Sequence, residues 1–266
     1  MIKSLYTAIS GLQANNQQMS VIGDNIANEG TTGYKATKVS FDSLVNPSSG
    51  SGYTGKEIGS GVILGDVSYN WSSGTIQQTS NSYDMAISGT GFFAVNDSSG
   101  KTYYTRDGGF KFDASGNLVT AAGNNVQGYA IDPTTGKPTG TLKSIKIDPA
   151  TYTSVTVDSS GTYYGTTSAG VKTALFQIAL YKPTDQSKMA KMSGNLYTDT
   201  STTAGTSGIP GASGLGSVSP SSLEMSNVDI AQEFVNMITA QRAFAANAKV
   251  ITSSDQILQD VINMKQ

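Results

Sequence analysis

The two ends of the chain constrain its fold most. From Ile230, the positions Phe234, Met237, Gln241, Phe244, Ala248, Ile251, Asp255, Leu258 and Ile262 follow at alternating steps of four and three, the spacing of a coiled-coil seam. Gln241 and Asp255 interrupt its apolar character. The same steps run through Ile2, Leu5, Ile9, Leu12, Asn16, Met19, Gly23 and Ile26, so a second apolar stripe opens the chain. A helix over 2–27 would be about 39 Å long and one over 227–264 about 57 Å, at the usual rise per residue. Neither can hide its stripe alone. The most local partner for each is the other, which predicts an antiparallel, coiled-coil-like pair in which the C-terminal helix overhangs. An apolar face left unmatched in that way points to contact with other copies of the chain. Asn16, Gly23, Gln241 and Asp255 read either as register-setting positions or as residues facing water.

Between the stripes the period changes. The first helix should end near Asn28, where Asn28-Glu29-Gly30 supplies a C-terminal glycine. Residues 31–60 read as an extended linker arm, with Pro, Gly and Ser concentrated from Asn46 to Ser60. From 61 to 200 short alternating runs predict a central, mostly antiparallel β domain. They include Val67-Tyr69-Trp71, Met85-Ile87, Phe93-Val95 and Leu175 to Tyr181, separated by turn chemistry such as Arg106-Asp107-Gly108-Gly109. Residues 201–225 form a Gly- and Ser-rich return linker, which pairs with the first linker as a neck. The final element, 226–266, is a helix with Ser226 or Asn227 as N-cap, Asp229 and Glu233 in its first turns, and Lys265 at its other end. The fold class expected is therefore α+β, a β domain carried on a helical stalk.

Composition removes most chemistry. The 266 residues include no cysteine and no histidine, which excludes thiol nucleophiles, disulfides, histidine bases and the usual transition-metal ligands. No cofactor is expected. A net charge of −2 gives no basic footprint, so nucleic acid is not an expected partner. Charged residues make up 14%, below the roughly 25% usual for soluble domains. Lys3 is followed by an amphipathic pattern instead of a continuous apolar run, so neither a cleaved signal peptide nor a membrane-inserted span is expected.

Two short motifs imitate ligand sites. Gly89-Thr90-Gly91-Phe92-Phe93-Ala94 matches a dinucleotide fingerprint in letters only, because a β-like run and no helix follows. Asp113-Ala114-Ser115-Gly116-Asn117 lacks the closing glutamate of a calcium loop and reads as a hairpin turn. No pair of carboxylates stands in a recognisable acid–base motif. An adhesin-like module gripping a ligand through Trp71 or the tyrosines would account for the β domain but leave both helices idle.

Several motifs carry a family resemblance. Ser10-Gly11-Leu12-Gln13-Ala14, Asn25-Ile26-Ala27-Asn28 and Gly33-Tyr34-Lys35 resemble the N-terminal signature of the bacterial flagellar rod and hook proteins. At the opposite end, Leu223-Glu224-Met225-Ser226-Asn227, Phe234-Val235-Asn236-Met237 and Gln241-Arg242-Ala243-Phe244 resemble that family's C-terminal signature. Tyr104-Thr105-Arg106-Asp107-Gly108-Gly109-Phe110 is similar to its shared β segment. Within the family, the ending Ile257-Leu258 to Met264-Lys265 and the segment Ala174 to Leu180 look more like hook than distal rod members. Against that stands the length: many hook proteins insert an outer domain into the middle of the β region, whereas Asp132 to Leu142 is only a Pro- and Gly-containing turn, so a compact hook protein is the best fit and a rod protein the runner-up.

The resemblance implies a structural subunit that leaves the cell without a cleaved leader and polymerises into the tubular hook, a universal joint carrying torque from rod to filament. A distal rod protein, part of a rigid drive shaft in the basal body, is the alternative. Implied partners are other copies of itself, the type III export apparatus, a hook cap protein, the distal rod protein and the hook–filament junction protein. The implied location is the extracellular flagellum, contiguous with the basal body. Lys35 and Arg242 read as surface charges able to form ion pairs between subunits.

Overall fold

A computed structural model of the chain describes residues 2–45, 59–132, 136–148 and 151–264. The chain divides into two compact units, one formed by 1–29, 36–70 and 228–266, the other by 30–35 and 71–227.

The first unit contains both helices. Helix α1 runs Ile2–Ala27 and helix α2 runs Ile230–Asn263. They pack antiparallel: Asn25 of α1 donates to Glu233 of α2 at 3.0 Å, and Gly11 lies against Asn247. Both pairs of contacts are fourteen residues apart, so the register holds over four turns. Strand β1, Thr37–Val45, and strand β2, Gly59–Tyr69, form an antiparallel hairpin from Thr37↔Tyr69 to Val45↔Gly59. Its register shifts between Ser40 and Phe41, where Gly65 is the extra residue. Ser40 Oγ accepts the N–H of Asp66 at 3.1 Å across that bulge.

Asn25 ties the hairpin to the helices. Its side-chain amide donates to the Thr37 carbonyl and accepts the Thr37 N–H, both at 2.9 Å, as a paired strand would. The extended arm expected over 31–60 is thus half of a hairpin from Thr37 onward. Residues 62–69, expected to open the β domain, pair with β1 and group with the helices. Alternation marks β2 as a strand but does not say which strand it joins. Residues 46–58 lie outside the described residues, as does Lys265.

The second unit is built on a sheet of thirteen strands, whose pairings are antiparallel throughout. Alternating apolar residues from Met85–Ser88, Phe92–Asn96, Asn125–Ile131, Thr162–Thr167 and Lys172–Ile178 turn inward. Met85, Ile87, Phe93, Phe110, Leu118, Tyr163, Ile178 and Leu180 make the main core. A smaller cluster of Phe92, Met189 and Tyr197 packs under Trp71. The Asp113 turn joins Lys111–Phe112 to Leu118–Val119, its carboxylate accepting the N–H groups of Ser115 (2.9 Å) and Asn117 (2.7 Å).

The Gly- and Ser-rich stretch 201–225 departs from the expected linker. It carries the strands Thr206–Gly208, Ser217–Pro220 and Ser222–Glu224, paired to Leu180–Lys182, Met85–Ser88 and Ile76–Gln78. Small residues serve close packing here: a Cβ at Gly216 would lie 2.4 Å from the Ser88 carbonyl oxygen. Leu215 and Val218 enter the main core. The N-cap of α2 is also corrected. Asp229 accepts the N–H groups of Ala231 (3.0 Å) and Gln232 (3.2 Å), while Asn227 points its amide at Ser72.

Candidate functional site

Three signature motifs converge inside the second unit. Lys35, Arg106 and Glu224 stand 71 to 189 residues apart in sequence, yet one carboxylate joins them. Lys35 Nζ lies 2.6 Å from Glu224 Oε1, and Arg106 Nη1 lies 3.0 Å from Oε2. The side chains of Lys35 and Glu224 are fully buried, and that of Arg106 is 3% exposed. Glu224 Oε1 also accepts the N–H of Gly74 at 2.9 Å. Lys35 donates to the Ser72 carbonyl, and Arg106 to the Gly89 carbonyl, each at 2.8 Å, with the guanidinium 5.2 Å from the Phe92 ring centre. Burial pulls the Lys35 ammonium below its ordinary pKa of 10.5. Glu224 opposes that shift and Arg106 adds to it.

Neighbouring bonds gather the segments around this cluster. Gly33 adopts a φ of +67°, and a Cβ there would lie 2.4 Å from the Asp107 nitrogen, so only glycine brings 30–35 onto 106–107. Its N–H donates to the Glu224 carbonyl at 2.8 Å, and Thr32 Oγ1 donates to Asp107 Oδ1 at 2.8 Å. Asn227 Nδ2 reaches the Ser72 carbonyl at 3.0 Å. The chain passes from one compact unit to the other at 29/30, 35/36, 70/71 and 227/228. Segments adjoining these passages, 32–35, 72–74 and 224–227, are therefore stitched together.

Lys35 is thus corrected from a surface charge to a buried partner within one chain. Arg106 and Glu224 belong to recognised motifs, but their pairing is not visible in spacing. The available signal is that each is the lone charge of its sign in an apolar or Gly-rich motif of a charge-poor chain. Tyr34 is buried under the Lys191 ammonium, 4.1 Å from its ring centre. Asn25 is buried as described, Asn28 donates to the Asp24 carbonyl at 2.8 Å, and Ala27 and Arg242 are exposed.

The helices use a different line from the expected seam. On α2, Glu233 and Asn247 touch α1, and Ala240 and Ser254 are its buried residues. These four recur every seven residues. They stand one position before Phe234, Gln241, Ala248 and Asp255, a rotation of about 100° around the helix. On α1 the matching contacts are Gly11 and Asn25, one position before Leu12 and Ile26.

The inward line is consequently made of small and polar side chains. Of the expected seam, Met237, Ile251 and Leu258 are half-buried, as are Leu5, Ile9, Leu12, Met19 and Ile26. Ile230, Phe234, Gln241, Phe244 and Ile262 are exposed on α2, and Asn16 on α1. The Ile2 side chain lies outside the described residues. Phe234 is 50% exposed, Ile238 51% and Phe244 38%, so large apolar groups face away from the single chain. Among the described residues no helix is long and apolar enough to cross a membrane.

Comparison with known proteins matches this arrangement along the chain. Residues 5–35 fit the family model of the flagella basal body rod protein, 86–164 that of the flagellar hook protein FlgE/F/G D1 domain, and 219–264 that of the flagellar basal body rod FlgEFG protein C-terminal region. The flagellar basal-body rod protein FlgG of Bacillus subtilis (strain 168) is 36% identical over 277 positions covering all of both chains. The chain belongs to the flagellar rod and hook axial protein family. FlgG of Borreliella burgdorferi is 32% identical over 278 positions, again covering both chains in full. The flagellar hook protein FlgE of Brucella suis is 25% identical over 393 positions covering 98% of each. Like its family, this is a structural protein of the flagellar axis and not an enzyme. These comparisons favour the rod alternative over the hook reading. The rod relatives are more alike and align over 277 and 278 positions, whereas alignment to the hook relative stretches to 393 positions against 266 residues.

Proposed function

We propose that this chain is a subunit of the flagellar basal-body rod, polymerising through the outward faces of its terminal helices into a stiff tubular shaft. The observation that carries the reading is the exposure of Phe234, Ile238 and Phe244 on α2, beside an inward line of small and polar residues. A helix built for the monomer alone would turn its largest apolar groups inward. Turning them outward leaves a coiled-coil seam for helices of neighbouring copies. End-to-end similarity to proteins named for the rod favours a shaft over a flexible hook. Export through the flagellar type III apparatus, and contact with hook and cap proteins, belong to this reading as expectations.

Phe244→Asp tests it, since a charge on an exposed seam position leaves the single chain intact. Concentrated wild-type protein should form straight tubes under negative stain, and the variant should stay monomeric with an unchanged circular dichroism spectrum. Normal tubes from Phe244→Asp would remove the seam, and tubes that supercoil would return the protein to the hook.

A further inference from the structure

Register fixes which part of α2 has no helix beside it. With Asn25 opposite Glu233 and Gly11 opposite Asn247, Ile2 falls opposite residue 256. Residues 257–264 therefore extend past the start of α1. Along them Ile257 is 50% exposed, Val261 50%, Ile262 63% and Met264 86%. Ile257 and Val261, four apart, form one ridge of this free end.

A groove on the same unit offers a matching seat. It lies between α1 and β2, has a volume of about 430 Å³, and is walled by Gln13, Asn16 and Gln17 on one side and Val62, Ile63 and Leu64 on the other. Its walls are fixed to each other, because Ser10 Oγ accepts the Val62 N–H at 3.2 Å. Ile63 is 51% exposed and supplies an apolar contact. Among the described residues no charged one lines the groove, and its three amide side chains can donate to Asp260, which stands beside Ile257 and Val261 on α2.

We propose that the free end of α2, residues 257–264, seats in the groove between α1 and β2 of a second copy of this chain. The proposal rests on the polymer reading above and names its contact. Knob and groove are different surfaces of one molecule, so the contact is head-to-tail and extends without closing on itself. The groove centres near residue 13 or 14 of α1, opposite 244 or 245 of α2, while the free end centres near 260. With helices of successive copies parallel, this sets each copy about 24 Å along the helix axis from the next.

The chain has no cysteine, which makes cross-linking clean. Two exposed positions, Ile63→Cys and Val261→Cys, are placed in separate chains, mixed, polymerised and treated with a short bismaleimide. Cross-linked dimers from the mixture, none from either variant alone, and a ladder from the doubly substituted chain are expected. Leu64→Cys with Ile257→Cys provides a second pair. Tubes that form from both pairs but yield only monomer overturn the seat while leaving the rod reading standing. Failure of the wild-type chain to polymerise removes that reading, and the seat with it.

Discussion

Removing a carboxylate shared by two buried cations leaves both without a counter-charge, and Glu224 is so placed between Lys35 and Arg106. Glu224→Gln should destabilise the second unit by about 3–5 kcal/mol, a fall in thermal midpoint of roughly 6–20 °C for a unit of this size. Lys35→Met leaves the Glu224–Arg106 pair balanced and should cost much less. The two variants also separate by pH. The folded state holds the Lys35 proton less tightly than the unfolded chain, so stability rises with pH between the lowered pKa and the ordinary 10.5. Lys35→Met should flatten that rise in denaturant titrations. Above about pH 10 the sign reverses, because burial raises the Tyr163 and Tyr181 phenols and stability falls as unfolding releases their protons. Sequence treats Lys35 and Arg242 alike, as lone basic residues in signature motifs. What separates them is a partner 189 positions away, and no local spacing encodes a pairing at that range.

Both terminal helices are legible in sequence, within four residues at either end, because their stripes run for many turns. Their inward phase is not. Glu233, Ala240, Asn247 and Ser254 share the seven-residue period of the apolar stripe but contribute little hydrophobicity, so the stronger stripe masks the line that faces α1. Ala240→Leu probes that line. Adding volume at a residue 2% exposed should cost roughly 1–3 kcal/mol and lower the melting of the 222 nm circular dichroism signal. An unchanged melt would place the helix contact elsewhere. The hairpin and the strands within 201–225 were hidden for a related reason. Gly, Ser and Thr are turn and linker residues by composition, yet here they let backbones approach paired strands closely.

The two compact units differ in what they bury. Among the described residues, every buried apolar side chain of the first unit is alanine except Ile22, whereas the second buries Phe, Tyr, Met, Leu and Ile together. Burial of apolar area scales stability, so the helical unit of a free monomer should melt first. The single tryptophan, Trp71, belongs to the second unit and reports on it alone. In dilute protein the 222 nm signal should therefore fall at a lower temperature than the Trp71 fluorescence changes. Coincident transitions would show one cooperative fold. The polymer reading gives the weak helical unit a role, since a strip that orders on meeting its neighbours joins a growing end without first aggregating in solution. The closure around Ser72 bears on that growth mechanically. Its carbonyl receives donors from Lys35 on one chain passage and Asn227 on another, and Glu224 holds Gly74 on a third. Tension drawn through any one of these three segments is therefore shared with the other two before it reaches the β core, and no single bond carries it alone.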